Sequence, residues 1–250
     1  MNPIYFIGAG PGDPDLMTLK GRRLLDEADL IIFAGSLVNP ALLAGLKAEI
    51  HDSAGLNLEE ITGLMVTAQR LDRNVVRLHT GDPAIFGAIK EQMAVLDQKD
   101  VPYEVVPGVS SMAAAAAALK SELTLPEVSQ TVIITRQAGR TPVPEKESLI
   151  SLASHQATMM IFLSAGLIEQ VVKDLLAGGY PTATPVAVVE KASWPEERII
   201  RGDLTTIARQ MKEAGVTKTA IIAVGQAFAD GELRAASKLY DKDFSHGCRG

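Results

Sequence analysis

Short apolar runs alternate along this chain with stretches in which apolar positions recur every three or four residues, and the two spacings predict strands and helices in turn. In the first half the runs at 4–7, 29–35, 48–52, 75–80 and 103–106 read as strands. Helices are expected at 18–28, at 40–46, from Leu58 to Leu71 behind an Asn57 cap, at 88–98, and over the alanine run 112–119, which suits a helix pressed against other backbone. Five strand–helix alternations predict a domain built on a parallel sheet. After a linker at 123–126 come strands at 131–135, 158–163, 186–189 and 219–225 and a helix at 167–176 stopped by Gly178-Gly179. The alternating segment 197–203 predicts an antiparallel strand before a helix capped by Asp203. The expected architecture is α/β, with two α/β domains, residues 1–121 and 122–250, on parallel or mixed sheets.

Glycine, proline and small polar residues gather at the strand ends. The first run stops at Gly8-Ala9-Gly10-Pro11-Gly12-Asp13-Pro14-Asp15, and the fourth at Gly81-Asp82-Pro83-Ala84-Ile85-Phe86-Gly87. The fifth stops at Pro107-Gly108-Val109-Ser110-Ser111. In open parallel sheets such ends carry ligands. Gly81 would admit close approach of backbone, Pro83 would fix the turn, and Asp82 offers an acceptor to a hydroxyl or a cation. Equally, the heptapeptide could be a well-made βα turn, and Ser110 and Ser111 could cap the alanine helix or hold polar groups of a ligand. Gly8 and Gly10 open a dinucleotide fingerprint, but Asp13 stands where the third glycine belongs, and Pro11 and Pro14 keep the loop from flowing into a helix. Another small-molecule pocket is expected there.

Composition narrows the chemistry. A formal net charge of -6 argues against a nucleic-acid surface, so an acidic substrate needs a locally basic pocket. Arg136 and Arg140, in the Gly-Pro loop after the strand at 131–135, could grip carboxylates or simply be solvated. The single cysteine, Cys248, lies in a polar tail from Asp230, which is expected to be only partly ordered; this excludes a disulfide framework or cysteine metal site and fits a reducing cytoplasm. No apolar run is long enough to span a membrane. His51, His79, His155 and His246 have no paired spacing, so no metal site and no Ser-His-Asp set is expected; His79 reads as a packed strand residue. A phosphate-binding Gly-x-x-x-x-Gly-Lys-Ser/Thr loop is absent as well. Strand ends poor in acid–base groups suit a reaction in which alignment of two bound reactants supplies most of the rate.

The three strand-end segments, in this order and spacing, resemble the tetrapyrrole (corrin and porphyrin) methyltransferases, which use S-adenosylmethionine (SAM). Phe33-Ala34-Gly35-Ser36-Leu37-Val38 and Thr135-Arg136-Gln137-Ala138-Gly139-Arg140-Thr141-Pro142-Val143-Pro144 are similar in particular to the precorrin-4 C11-methyltransferases of cobalamin biosynthesis. The likeness runs from about Ile4 to Leu239. It implies the two-domain tetrapyrrole methylase fold with the cofactor in a cleft, a homodimer, and attack of an electron-rich ring carbon on the sulfonium methyl, with S-adenosylhomocysteine as the leaving group. It also implies SAM contacts at Pro11, Gly81, Asp82, Ile85, Phe86, Ser110, Ser111, Leu163, Ala192 and Ala220, where Leu163 replaces a methionine of several relatives. Arg136 and Arg140 become candidates for the substrate's acetate and propionate groups. No residue identifies itself as a general base. The competing readings are a methyltransferase for another ring position, such as the uroporphyrinogen enzyme, and a non-catalytic nucleotide-binding module. Whether the substrate carries cobalt or is metal-free is left open.

Overall fold

The computed structural model describes residues 2–229 and 231. His246, Cys248, the end of the family likeness at Leu239 and, Gly231 aside, the tail from Asp230 lie outside them. Residues up to Ala114, together with Lys191–Glu196, form one compact unit; Ala115–Glu190 and the described residues from Glu197 onward form a second.

The first unit contains β1 (Ile4–Gly8), α1 (Leu19–Asp26), β2 (Leu30–Phe33), β3 (Glu49–Asp52), α2 (Leu58–Arg70), β4 (Val75–His79), α3 (Ile89–Gln98), β5 (Tyr103–Val106) and the start of α4 (Ser111–Leu119). All five strands are parallel, in the order β3-β2-β4-β1-β5. The inner strands β1 and β2 read as continuous apolar runs because helices cover both faces, whereas the edge strand β3 is mostly polar and exposed. On one face Ile7, Ile31, Val76 and Leu78 pack with Leu25 of α1; on the other Ile4, Phe6, Leu30 and Ile32 pack with Ile61, Met65 and Leu96 of α2 and α3. Asn57 caps α2 as expected, its side chain accepting from Glu60 N while the Glu60 carboxylate accepts from Asn57 N. The helix expected at 40–46 is reduced to a 3-10 turn, Pro40–Leu42, because the chain turns left-handed at Gly45 (φ 77°). In α4 one stripe is buried, at Ala114, Ala115 and Leu119, while Ala113 and Ala117 are exposed.

In the second unit come β6 (Val132–Arg136), α5 (Leu149–Ala153), β7 (Thr158–Phe162), α6 (Ile168–Ala177), β8 (Pro185–Glu190), β9 (Arg198–Asp203), α7 (Ile207–Glu213) and β10 (Ala220–Val224). The sheet order is β6-β7-β10-β8-β9, with β6 and β7 parallel and the other pairs antiparallel. Met159, Ile161, Val186, Val188, Ile222 and Val224 face a core completed by Val171, Leu175, Ile207 and Met211. α5 had no sequence signal, since five residues are too few for periodicity to register. Two further expectations are corrected. The segment after 123 is a turn closed by Ser129 N donating to Leu125 O at 3.0 Å, not a linker. Thr206, not Asp203, is the N-cap of α7; the Asp203 carboxylate accepts from Thr205 N and Thr206 N, each at 2.9 Å, and so closes the turn before the helix.

For function, the decisive feature of the first unit is connectivity. β1 hands the chain to one side of the sheet, toward β2, and its neighbour β4 hands it to the other, toward β5. Their carboxyl ends therefore form a topological switch point, where open α/β sheets hold ligands.

Candidate functional site

At that switch point the first unit is built almost wholly of main chain. Gly10 and Gly81 bridge β1 and β4, with Gly81 N donating to Gly10 O at 2.8 Å. Gly8, Gly81 and Gly108 then meet backbone to backbone. A Cβ on Gly108 would lie 2.1 Å from Gly81 O, and one on Gly8 would lie 2.5 Å from the same oxygen, so neither position admits a side chain. Gly81 itself is left-handed at φ 61°. Asp82 completes the junction: its Oδ2 accepts from Gly108 N at 2.9 Å and its Oδ1 from Ala84 N at 2.8 Å. Its carboxylate thus ties the loop after β4 to the loop after β5. Beyond it Ile85 is half-buried, while Phe86 (φ 53°) and Ala88 (φ 48°) are left-handed, and Phe86 is 46% exposed.

The loop after β1 is pinned as firmly. Pro11 and Gly12 are buried. Asn39 Nδ2 donates to Gly12 O at 2.8 Å, the Trp194 indole N–H donates to Pro11 O at 2.9 Å, and Asp13 N donates to Ser193 Oγ at 3.0 Å. Asp13 caps the 3-10 turn Pro14–Leu16, and α1 starts only at Leu19, so no helix N-terminus follows the glycines and the dinucleotide geometry is absent. Ala192, in the turn with Ser193 and Trp194, is buried. Ser110 Oγ accepts from Met112 N at 3.3 Å, capping α4; Ser111 is its first residue.

The remaining candidates belong to the second unit, where strand register brings them to one end of the sheet. Arg136 pairs with Phe162, Ala220 pairs with Glu190, and Ile222 pairs with Ile161, which sets Ala220 level with Leu163. Leu163 is left-handed (φ 54°) and 69% exposed. The Arg136 guanidinium donates to Gln137 O, Thr141 O and Pro142 O at 3.3, 3.2 and 2.7 Å, so it shapes its own loop. Arg140 is exposed and makes no hydrogen bond or ion pair among the described residues. Gln137, between the two arginines, is buried: its N–H donates to Ser164 Oγ at 2.8 Å, and its amide donates to Asp174 Oδ2 of α6 at 2.8 Å.

Comparison with known proteins decides the family. The model of the tetrapyrrole (corrin/porphyrin) methylases matches residues 3–208. The chain belongs to this family. Among characterised relatives, the cobalt-precorrin-4 C(11)-methyltransferase of Methanocaldococcus jannaschii is 57% identical over 245 residues, covering 97% of this chain and 94% of that one. Among solved structures, a cobalt precorrin-4 methyltransferase superimposes with a TM-score of 0.89 at 49% identity, over 91% of this chain and 96% of the other. A uroporphyrin-III C-methyltransferase from Thermus thermophilus, solved with S-adenosylhomocysteine, gives 0.76 at 31% identity, over 90% and 93%.

Within this tetrapyrrole methylase, the residues that sequence reasoning passed over are those that hold the loops: Asn39, Ser193, Trp194, Gln137 and Asp174. Their partners are distant in sequence, so no local spacing announces them. His79 behaves as a packed residue. Burial and the neighbouring positive charge of Arg77 push its pKa down to about 3, its ring lies 6.0 Å from that of Phe6, and Nε2 has no hydrogen-bond partner. Arg77, itself buried, donates to Gln92 Oε1 and Ile32 O, and burial lowers its pKa to about 10. Among the described residues there is no cluster of His, Cys, Asp and Glu able to hold a metal, and no helix long and apolar enough to cross a membrane.

Proposed function

We propose that this methylase transfers a methyl group from SAM to C11 of precorrin-4 or its cobalt complex, in the cobalamin pathway, as a cytoplasmic homodimer. What carries the reading is its near-full-length likeness to a relative of that activity, spanning both units and all three strand-end loops. The geometry of the strand ends supports it. The switch point of the first unit is a floor of main chain at Gly8, Gly81 and Gly108, without the bulk of side chains, and its shape is locked by Asp82. Pro11, Gly81, Asp82, Ile85, Phe86, Ser110, Ser111 and Ala192 would hold SAM in this unit, and Leu163 and Ala220 are the cofactor candidates that the family likeness names in the second.

SAM supplies an electrophilic methyl on a sulfonium, so the protein needs no nucleophile of its own. The share of the loops is to fix that reactant and exclude water, the proximity effect that dominates such transfers. Asp82 has both carboxylate oxygens committed to backbone N–H groups, and His79 is buried and neutral, so neither serves as a general base. Of the two arginines, Arg140 is the one free to meet a substrate carboxylate; Arg136 sets the loop that presents it.

The test is titration with S-adenosylhomocysteine followed by turnover of precorrin-4 and cobalt-precorrin-4, with the product mass and the methylated carbon read by mass spectrometry and NMR. Binding and a gain of one methyl at C11 are expected, with affinity weakened in Asp82→Ala and Ser110→Ala. Absence of binding by the folded protein, or methylation of uroporphyrinogen III instead, would overturn the assignment.

A further inference from the structure

The chain leaves the second unit after Glu190, contributes Lys191–Glu196 to the first, and returns. Those six residues are held in an unusual shape. Lys191 (φ 48°) and Ser193 (φ 66°) are both left-handed, a conformation that persists in non-glycine residues only where the surroundings over-determine it. What determines it is the loop after β1. The Trp194 indole N–H holds Pro11 O, Ser193 Oγ holds Asp13 N, and Gly12 between them packs directly against the indole: a Cβ there would fall 2.0 Å from Cδ1. Lys191 Nζ stands 5.9 Å above the same ring and pairs with Glu196 at 3.6 Å. Three consecutive residues of the loop, Pro11, Gly12 and Asp13, are therefore gripped from one short turn. The same turn carries Ala192, a candidate cofactor contact, as Pro11 is.

We infer that Trp194 and Ser193 are positioning residues that set the spacing of two cofactor-binding segments, the Pro11 loop and the Ala192 turn, so that cofactor affinity is governed by residues that need not touch the cofactor. The inference rests on the proposed SAM site. A hydrogen bond between neutral groups contributes little to global stability, but misplacing a binding segment by about 1 Å costs affinity in full.

Trp194 is the only tryptophan of the chain, so its emission reports on the loop directly. S-adenosylhomocysteine titration of the full-length protein, followed by both calorimetry and indole fluorescence, is expected to give one dissociation constant, with the emission changing on binding. Trp194→Phe keeps an aromatic ring under Gly12 but loses the N–H; about a tenfold weaker affinity is expected, with the melting temperature within a few degrees of wild type. Ser193→Ala, which retains the indole, is expected to weaken binding about threefold and to shift the emission of the free protein. In turnover both variants raise the KM for SAM and leave the KM for the tetrapyrrole unchanged. Wild-type affinity in both variants, or a fall in melting temperature without a change in affinity, would overturn the inference while leaving the SAM site intact. Failure of the wild type to bind would instead remove the site on which it rests.

Discussion

The two units make their candidate loops by opposite means. In the first, glycine backbones from β1, β4 and β5 touch one another, and one carboxylate, Asp82, stitches two of the loops together. In the second, the loop after β6 is hung from side chains: Arg136 on three carbonyls of its own loop, Gln137 on Asp174 and Ser164. In each, a charged group that looks like a ligand contact, Asp82 in the first and Arg136 in the second, is consumed in holding main chain. A charge at a strand end is thus weak evidence of what it binds until its own hydrogen bonds are accounted for.

The sharpest way to break this contrast is to place one methyl group in the first unit's junction. Gly108→Ala would bring a Cβ against Gly81 O and is expected to lose about 3 kcal/mol or more, with little soluble folded protein; urea unfolding against wild type measures it. Next come the two carboxylates. Asp82→Ala and Asp174→Ala each strand two donors and are each expected to cost about 2–3 kcal/mol. The two should part on ligands: Asp82→Ala weakens S-adenosylhomocysteine binding, and Asp174→Ala raises the KM for the tetrapyrrole. Equal effects on both ligands would erase the division between backbone-made and side-chain-made loops.

His79 gives a smaller, pH-dependent effect. Its pKa in the folded protein, about 3, lies below the ordinary 6.5, so the folded state binds fewer protons than the unfolded chain between those values. The stability tied to this residue is complete above about pH 6.5 and declines as pH falls toward 3, by about 2 kcal/mol at pH 5. His79→Phe should flatten the slope of unfolding free energy between pH 7 and pH 5. The smallest change is a control. Gly63, exposed in the middle of α2 with nothing within 4 Å of a Cβ, differs from Gly108 in every respect, and Gly63→Ala should stabilise by about 0.5–1 kcal/mol in the same urea titration.

Much of this organisation is legible along the sequence. Apolar runs, and for β9 an alternating pattern, locate the ten strands of the described residues to within a residue or two, and the Asn57 box and the Gly178-Gly179 stop follow from capping chemistry. The order and spacing of the three glycine-rich strand ends carry the family likeness, and in the structure they meet in one junction. What periodicity could not show is whom a glycine makes room for: Gly8 and Gly108 both make room for Gly81 O, a fact fixed by strand order and not by the heptapeptide. Asp203 looked like a helix cap because Asp favours that position, yet Thr205 and Thr206 intervene and the helix starts later. Trp194 carried no local signal at all, since its partner Pro11 lies 183 residues away in the chain.

The glycine junction also divides the molecule for anyone who would redesign it. Gly8 and Gly108 have no permissible substitute, so the junction of the three strand ends is closed to variation, and a library randomised there would return unfolded chains. The 136–142 loop, by contrast, ends in exposed residues such as Arg140. Substitutions can therefore be gathered in that loop while the glycine junction of the first unit is carried over unchanged.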